Sequence, residues 1–232
     1  TSLGNVLIMC LMMYAWRLEC GVDFTLINDG DDCVMIMESD DYPTFAAGFD
    51  EFFADLGFIM EVEDPVYRIE HIDFCQSHPV WDGEDFRMVR DPNVVLDKDL
   101  VSVKPILNDT DRRFYRRMVG ECGLALAGDM PVYNEFYTML MRGTSQNDLL
   151  NKRGSFREVE ETGMVRLATG LHPKYGQPSA ETRASFHEAF GLLPDMQIAL
   201  EEAYTRVTPP SGEPVEVESF VGQLACRFDG GN

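Results

Sequence analysis

Residues 24–38 read FTLINDGDDCVMIME, and the architecture is read outward from them. Phe24–Ile27 is a β-prone run, Cys33–Met37 is apolar throughout, and Asp29-Gly30 lies between the two. Asp-Gly between such runs is the strongest short hairpin signal, because glycine accepts positive φ without a steric penalty. The hairpin then presents Asp31 and Asp32 at its tip. Two carboxylates held that close repel each other unless a cation sits between them. For a lone Gly-Asp-Asp, a surface turn with solvated acids is the plainer reading. The flank shifts the balance: Val34–Met37 asks for burial on both faces, which predicts an interior hairpin. Carboxylates at the lip of an interior sheet need a cation or a change of protonation.

Mg²⁺ suits this turn, with Mn²⁺ as the alternative, because a hard ion takes a few carboxylates and leaves its other positions to water and phosphates. The chemistry that fits is nucleotidyl transfer, in which paired metals activate the attacking oxygen and stabilise the leaving one.

Around the hairpin the pattern is mixed. Leu3–Leu18 reads as a helix that is apolar nearly all round, hence buried. Phe45, Phe49, Phe52, Phe53 and Leu56 recur at helical spacing, with Gly57 as a stop. Phe58–Val62 reads as a strand, Tyr67–Phe74 alternates roughly, and Val80–Trp81 with Phe86–Val89 forms a second hairpin around Asp82-Gly83. Near Asp91-Pro92 the character turns helical. Asp109 is placed to cap a helix running to about Leu126, and Pro131 to start another through Met141. Gly143–Gly154 is a polar connection, Ala180–Phe190 and Pro194–Tyr204 complete the helices, and Thr208–Pro214 (TPPSGEP) is a linker by composition. The tail, 215–232, is read as a short strand or a mobile end.

The 232 residues are 45% hydrophobic and carry a net charge of −21. That charge argues against a nucleic-acid partner, since phosphate neutralisation needs Lys and Arg. The six cysteines show no C-x-x-C or Cys/His zinc spacing and read as reduced thiols packed as small hydrophobes, which predicts a cytoplasmic protein. The apolar Leu3–Trp16 stretch is too short to span a bilayer and lacks the basic lead-in of a signal peptide, so no membrane anchor is expected.

Six blocks occur in order: TSLGNVLIMCLMMYAW from Thr1, LINDGDDCVMI from Leu26, FADLGFIMEVEDPVY from Phe53, IDFCQSHPVWDG from Ile72, MVRDPNVVLDKDL from Met88, and GECGLALAGDMPVYNEFY from Gly120. The series resembles the RNA-dependent RNA polymerases of positive-strand RNA viruses, and within them the tombusvirus and carmovirus group, from Thr1 to about Tyr137. The resemblance implies an α+β fold: residues 1–90 as part of a polymerase palm (an antiparallel sheet with packed helices), 91–207 as a mainly helical thumb, and 208–232 as linker and tail. The family's first block reads Ser-Gly-x-x-x-Thr-x-x-x-Asn, and this chain opens at the Thr. It is therefore expected to be the second half of a palm plus the thumb, without the fingers or the palm strand that bears the other metal-binding aspartate.

By the same resemblance, Asp31 is the principal metal ligand and Asp32 assists it. Thr1 and Asn5 sense the ribose 2′-OH, a task for which an amide can both donate and accept. Phe74, Cys75, Gln76 and Ser77 support the end of the nascent strand. Arg112, Arg113, Arg116 and Arg117, on one face of a predicted helix, contact RNA phosphates; their alternative is a solvated face paired to acids such as Asp109 and Asp111. The implied partners are RNA template, nascent RNA, nucleoside triphosphates and viral accessory replication proteins. The implied setting is the host cytoplasm, with membrane-associated replication complexes reached through other regions. One departure stands out: no lysine occurs before Lys98, so the acid that would protonate pyrophosphate has no candidate beyond Glu61 or the poorly acidic Arg68. Two further readings are a different two-metal nucleotidyl transferase, such as a reverse transcriptase, and a non-catalytic acidic interaction domain.

Overall fold

The structure is a computed structural model that describes residues 2–102, 106, 108–145 and 163–209. The predicted linker and tail, Thr1 and most of the polar connection lie outside the described residues, apart from the linker's first two positions. The chain divides into two compact units, Thr1–Ser77 and His78–Asn232.

In the first unit, helix α1 (Ser2–Cys20) precedes strands β1 (Thr25–Asn28) and β2 (Cys33–Ile36), then short helices α2 (Tyr42–Ala46) and α3 (Phe49–Asp55). The strands pair antiparallel, with Leu26 opposite Met35 and Asn28 opposite Cys33. Strand alternation sends Leu26, Cys33 and Met35 to the core and leaves Ile27 and Ile36 outward, 45% and 48% exposed. The hairpin is therefore half-buried, not buried on both faces as expected, because this unit supplies packing on one side only.

The same correction applies to α1. Met9, Met12, Met13 and Trp16 are buried, whereas Leu3, Leu7, Leu11, Tyr14 and Leu18 form an exposed stripe along the opposite side. At 19 residues it is also longer than the sequence reading allowed, and by length and composition it could cross a bilayer. Trp16 packs edge-on against Phe45 and Phe49 (centroids 6.2 and 5.5 Å), and Phe49 packs on Phe53 at 4.5 Å. The predicted single helix over 45–56 is broken at Gly48, whose φ of +81° a residue with a side chain rarely adopts. The break keeps Phe45, Phe49 and Phe53 together in the core.

The predicted strand Phe58–Val62 is irregular chain, and Tyr67–Phe74 contains a single 3₁₀ turn, Ile69–His71. A strand needs a ladder partner for its backbone groups, and no described strand lies beside these segments.

The second unit contains the strand pair β3 (Ser77–Trp81) and β4 (Phe86–Arg90), followed by α4 (Pro92–Lys98), α5 (Asp109–Ala127), α6 (Tyr133–Met141), α7 (Gly163–Ala168), α8 (Ala180–Phe190) and α9 (Pro194–Arg206). Val80 and Val89 of the strand pair join the same core as Phe114, Val119, Leu124, Tyr133, Phe136, Leu140, Phe186 and Tyr204. Asn108, not Asp109, caps α5, its side chain accepting from the Asp111 N–H at 3.0 Å. Gly120 and Gly123 let α6 lie close: a Cβ on Gly123 would fall 2.2 Å from the Tyr137 ring. Helix α6 starts two residues after Pro131, because Val132 adopts φ +69° and gives its N–H to Glu201 at 2.9 Å. A β-branched residue rarely takes that conformation. Val132 is 1% exposed, so packing and the Glu201 bond hold it there.

Candidate active site

Asp29 to Asp32 form a four-residue turn between the paired Asn28 and Cys33, longer than the two-residue turn that Asp-Gly suggests. The Asp29 N–H donates to the Asp32 carbonyl at 2.9 Å, and the Gly30 N–H donates to the Asn28 side-chain oxygen at 2.7 Å. Gly30 has φ +107°, the conformation for which glycine was singled out. The turn leaves Asp29, Asp31 and Asp32 exposed and Gly30 buried.

Asn28 does more than close the turn. Its Nδ2 donates to the Val6 carbonyl of α1 at 3.0 Å and lies 3.3 Å from Cys10 Sγ. The acidic tip is thereby tied to the first turns of α1. A Cβ on Gly30 would sit 3.5 Å from Asn5 Cβ, so Asn5 and the acidic turn are neighbours. Thr1, the other residue assigned to ribose sensing, lies outside the described residues.

The Phe74–Ser77 segment also comes to this tip. Phe74 and Ser77 exchange backbone hydrogen bonds of 2.9 and 3.1 Å, enclosing Cys75 and Gln76 in a tight turn with φ +54° and +58°. Ser77 Oγ donates to the Cys75 carbonyl at 3.3 Å. Cys75 Sγ donates to Asp29 Oδ2 at 3.6 Å across 46 residues of sequence. Desolvation, then Asp32 and Asp29, push the Cys75 thiol up to about 11. It stays protonated, and so a hydrogen-bond donor, across the physiological range.

Of the predicted residues, the structure thus gathers Asn5, Asp31, Asp32 and Cys75 around one tip, with Phe74, Gln76 and Ser77 in the adjoining turn. The arginines belong to the second unit, and each has a partner there. Arg112 pairs with Asp109 at 3.1 Å, and Arg113 reaches Thr110 at 3.4 Å. Arg116 donates to the carbonyls of Arg142 and Pro209, and Arg117 pairs with Glu121 at 2.7 Å. Burial, then Arg113, lowers the Arg116 pKa. Arg116 and Arg117 are partly buried and hold the helical unit together; of the acids named in the solvated-face alternative, Asp109 takes Arg112.

Asn28 and Asp29 were missed by sequence reasoning. An Asn two residues before Gly30 is an Asx-turn signal and could have marked Asn28. Nothing local could have paired Asp29 with Cys75. The cysteines read as small packed hydrophobes also divide: Cys10 and Cys75 are exposed, and Cys20, Cys33 and Cys122 are partly buried. All five are free thiols.

For a divalent ion, the donor chemistry fits and the donor count is low. No group of three or more His, Cys, Asp or Glu side chains among the described residues is gathered to hold an ion. Asp31 and Asp32 offer hard oxygen ligands, and Mg²⁺ is commonly held by one or two carboxylates together with substrate phosphates.

Comparison with known proteins points one way. A profile of the family described as "Viral RNA dependent RNA polymerase" matches residues 1–212. The chain is 39% identical over 204 residues to the RNA-directed RNA polymerase of Tobacco necrosis virus (strain A), covering 88% of this chain and 28% of that protein. It is 39% identical over 201 residues to that of Carnation mottle virus (87% and 26%), and 37% identical over 233 residues to that of Turnip crinkle virus (99% and 27%). The chain therefore spans about a quarter of the length of these relatives. No solved structure matches it.

Proposed function

The chain belongs to the viral RNA dependent RNA polymerase family, and on that premise we propose that it forms part of an enzyme that copies a positive-strand RNA genome. The reaction is template-directed transfer of ribonucleoside monophosphates from nucleoside triphosphates to an RNA 3′ end. In this reading residues 1–90 are palm and 91–207 thumb.

The observation that carries the reading is the meeting of three separate motifs at one tip: Asn5 against Gly30, Asp31 and Asp32 on the same turn, and Cys75 bonded to Asp29. Asp31 and Asp32 would hold Mg²⁺ or Mn²⁺, which supplies charge neutralisation at the transferring phosphoryl group. Asn5, with Thr1 upstream, discriminates the ribose 2′-OH by donating to it and accepting from it. The Phe74–Ser77 turn supports the nascent end. Arg112 and Arg113, which open α5, contact RNA phosphate, with Arg116 and Arg117 holding the helix that presents them. Accessory replication proteins and a cytoplasmic, membrane-associated site of replication complete the proposal.

The test places this chain in the matching part of the Tobacco necrosis virus polymerase and measures nucleotide incorporation on an RNA template. Asp31→Ala is expected to lower incorporation more than about 100-fold. Asn5→Ala should narrow the preference for ribo- over deoxyribonucleotides while retaining most of the turnover. Wild-type incorporation by the Asp31→Ala chimera would overturn the assignment.

A further inference from the structure

The two turns at the tip meet through the Cys75 thiol. Phe74 and Ser77 exchange both backbone hydrogen bonds, so Cys75 and Gln76 are the central pair of a two-residue turn with positive φ at both positions. That backbone belongs to Asn-Gly or Gly-Gly sequences. Cys and Gln hold it at a free-energy cost that the surroundings must offset. The offset visible here is side-chain bonding. Cys75 Sγ donates to Asp29 Oδ2 at 3.6 Å, and Ser77 Oγ braces the Cys75 carbonyl at 3.3 Å. Asp29 in turn closes the acidic turn through its N–H to the Asp32 carbonyl at 2.9 Å. A continuous path of contacts therefore runs from the strained turn, through the thiol, into the backbone that orients Asp31 and Asp32.

We propose that Cys75 is a positioning residue whose S–H group holds the acidic turn against the Phe74–Ser77 turn, so that the seat of the divalent cation and the support of the nascent RNA end move as one body. The proposal rests on the reading of Asp31 and Asp32 as cation ligands. It adds a role for Cys75 and Asp29 that the motif order alone does not give. The thiol faces two carboxylates of the acidic turn, Asp29, to which it donates at 3.6 Å, and Asp32. It acts through them, and the Asp29 peptide unit closes the turn.

The test uses the 232-residue chain with Cys75→Ala, Cys75→Ser, Cys75→Gly, Asp29→Ala and the Cys75→Ala/Asp29→Ala pair. Two quantities are read: Mn²⁺ binding, followed by the electron paramagnetic resonance of free Mn²⁺, and amide hydrogen exchange across 29–32 and 74–77. Cys75→Ala is expected to speed exchange in both turns about fivefold and to weaken Mn²⁺ binding severalfold. Cys75→Ser, which keeps a donor, should restore both. Cys75→Gly relieves the backbone without a donor and should not restore them. Asp29→Ala, which removes the acceptor, should reproduce part of the Cys75→Ala effect, and the pair should fall clearly short of the sum of the single changes, since they share the Cys75–Asp29 contact.

Simple addition in the pair, or a Gly variant that behaves like the Ser variant, would overturn the proposal. So would a Cys75→Ala chain within twofold of wild type in exchange. If the wild-type chain binds no Mn²⁺, the cation reading is decided by the Asp31→Ala chimera, and the exchange arm still decides whether the thiol joins the turns. Should Cys75→Ala fail to fold, Asp29→Ala and Cys75→Ser carry the same comparison.

Discussion

Residues 1–77 carry sixteen Asp and Glu against two arginines, whereas residues 78–232 carry twenty-four against seventeen Lys and Arg. Among the described residues, the second unit pairs many of its cations with its own acids. Arg183 makes a bidentate pair with Glu201 at 2.8 Å for each bond, and Glu201 also receives the Val132 N–H. Arg90 meets the buried Asp99 at 2.7 Å, and Tyr137 donates to the same carboxylate at 2.8 Å. Arg87 bridges Asp82 and Asp129. In the first unit, Arg17 and Arg68 are the only Lys or Arg side chains available, and Arg17 is paired with Asp23. Its core combines methionines with aromatic rings, and the acids at its tip are exposed. A unit that neutralises its own acids is a scaffold. A unit that leaves Asp31 and Asp32 adjacent and exposed at a tip keeps their charge unneutralised from within, which is what the proposed cation role requires.

The largest test of this contrast is Glu201→Ala. It strands the Arg183 guanidinium, which is 13% exposed, and the Val132 N–H at a strained backbone position. The expected loss is about 3–5 kcal/mol in urea unfolding. Asp31→Asn, at an exposed carboxylate in the acidic unit, should cost nothing or stabilise slightly by lowering self-repulsion. Equal losses from the two changes would erase the distinction.

Gly123→Ala comes next. The added methyl meets the Tyr137 ring, and the α5–α6 contact must open, at about 1–3 kcal/mol. Near-ultraviolet circular dichroism of the tyrosines would report it directly.

Asn28→Ala sharpens the other side. It removes one bond to Val6 and one to Gly30, each worth about 1 kcal/mol. The total loss should stay below that of Glu201→Ala, while amide exchange at the acidic tip rises more than exchange in α3.

The smallest effect is on alkaline stability. Burial pushes the Cys122 thiol up to about 11 and the Tyr204 phenol to about 12. Their ordinary values are about 8.5 and 10, so in the folded unit both stay protonated at a pH where the unfolded chain releases the proton. Stability is whole below about pH 8.5 and declines as pH rises through 11 and 12. Urea midpoints at pH 8 and pH 10.5 check this, and a rise would contradict the sign.

Much of this was legible in the sequence, for physical reasons that can be named. Helices α5, α6, α8 and α9 and the β1–β2 hairpin carry local signals: apolar period, capping side chains and Asp-Gly. Helix α4 begins where the sequence turns helical, at Asp91-Pro92, though its bounds were not marked there; the Asp91 side chain caps it at 2.6 Å. The break at Gly48 was hidden because Phe45, Phe49 and Phe53 keep a spacing of four across it. Phe58–Val62 has strand composition, but strand formation depends on a neighbour that a local pattern does not reveal. At the site, the residue types and their order were readable. The contacts that bring them together, Asn28 to Val6 and Cys75 to Asp29, join positions 22 and 46 residues apart. Which unit would hold its charges internally was equally hidden, because ion-pair partners are chosen by folding and not by neighbourhood.

The oily stripe of Leu3, Leu7, Leu11, Tyr14 and Leu18 bears on how this polypeptide behaves in a test tube. Together with Ile27 and Ile36 it offers greasy ground on a strongly anionic molecule. Colloidal behaviour then becomes a contest between long-range electrostatic repulsion and short-range adhesion. Added salt shortens the reach of the repulsion and leaves the adhesion intact. The polypeptide should therefore stay dispersed in dilute buffer and cluster in brine, the reverse of a protein that precipitates when its charges are left unscreened.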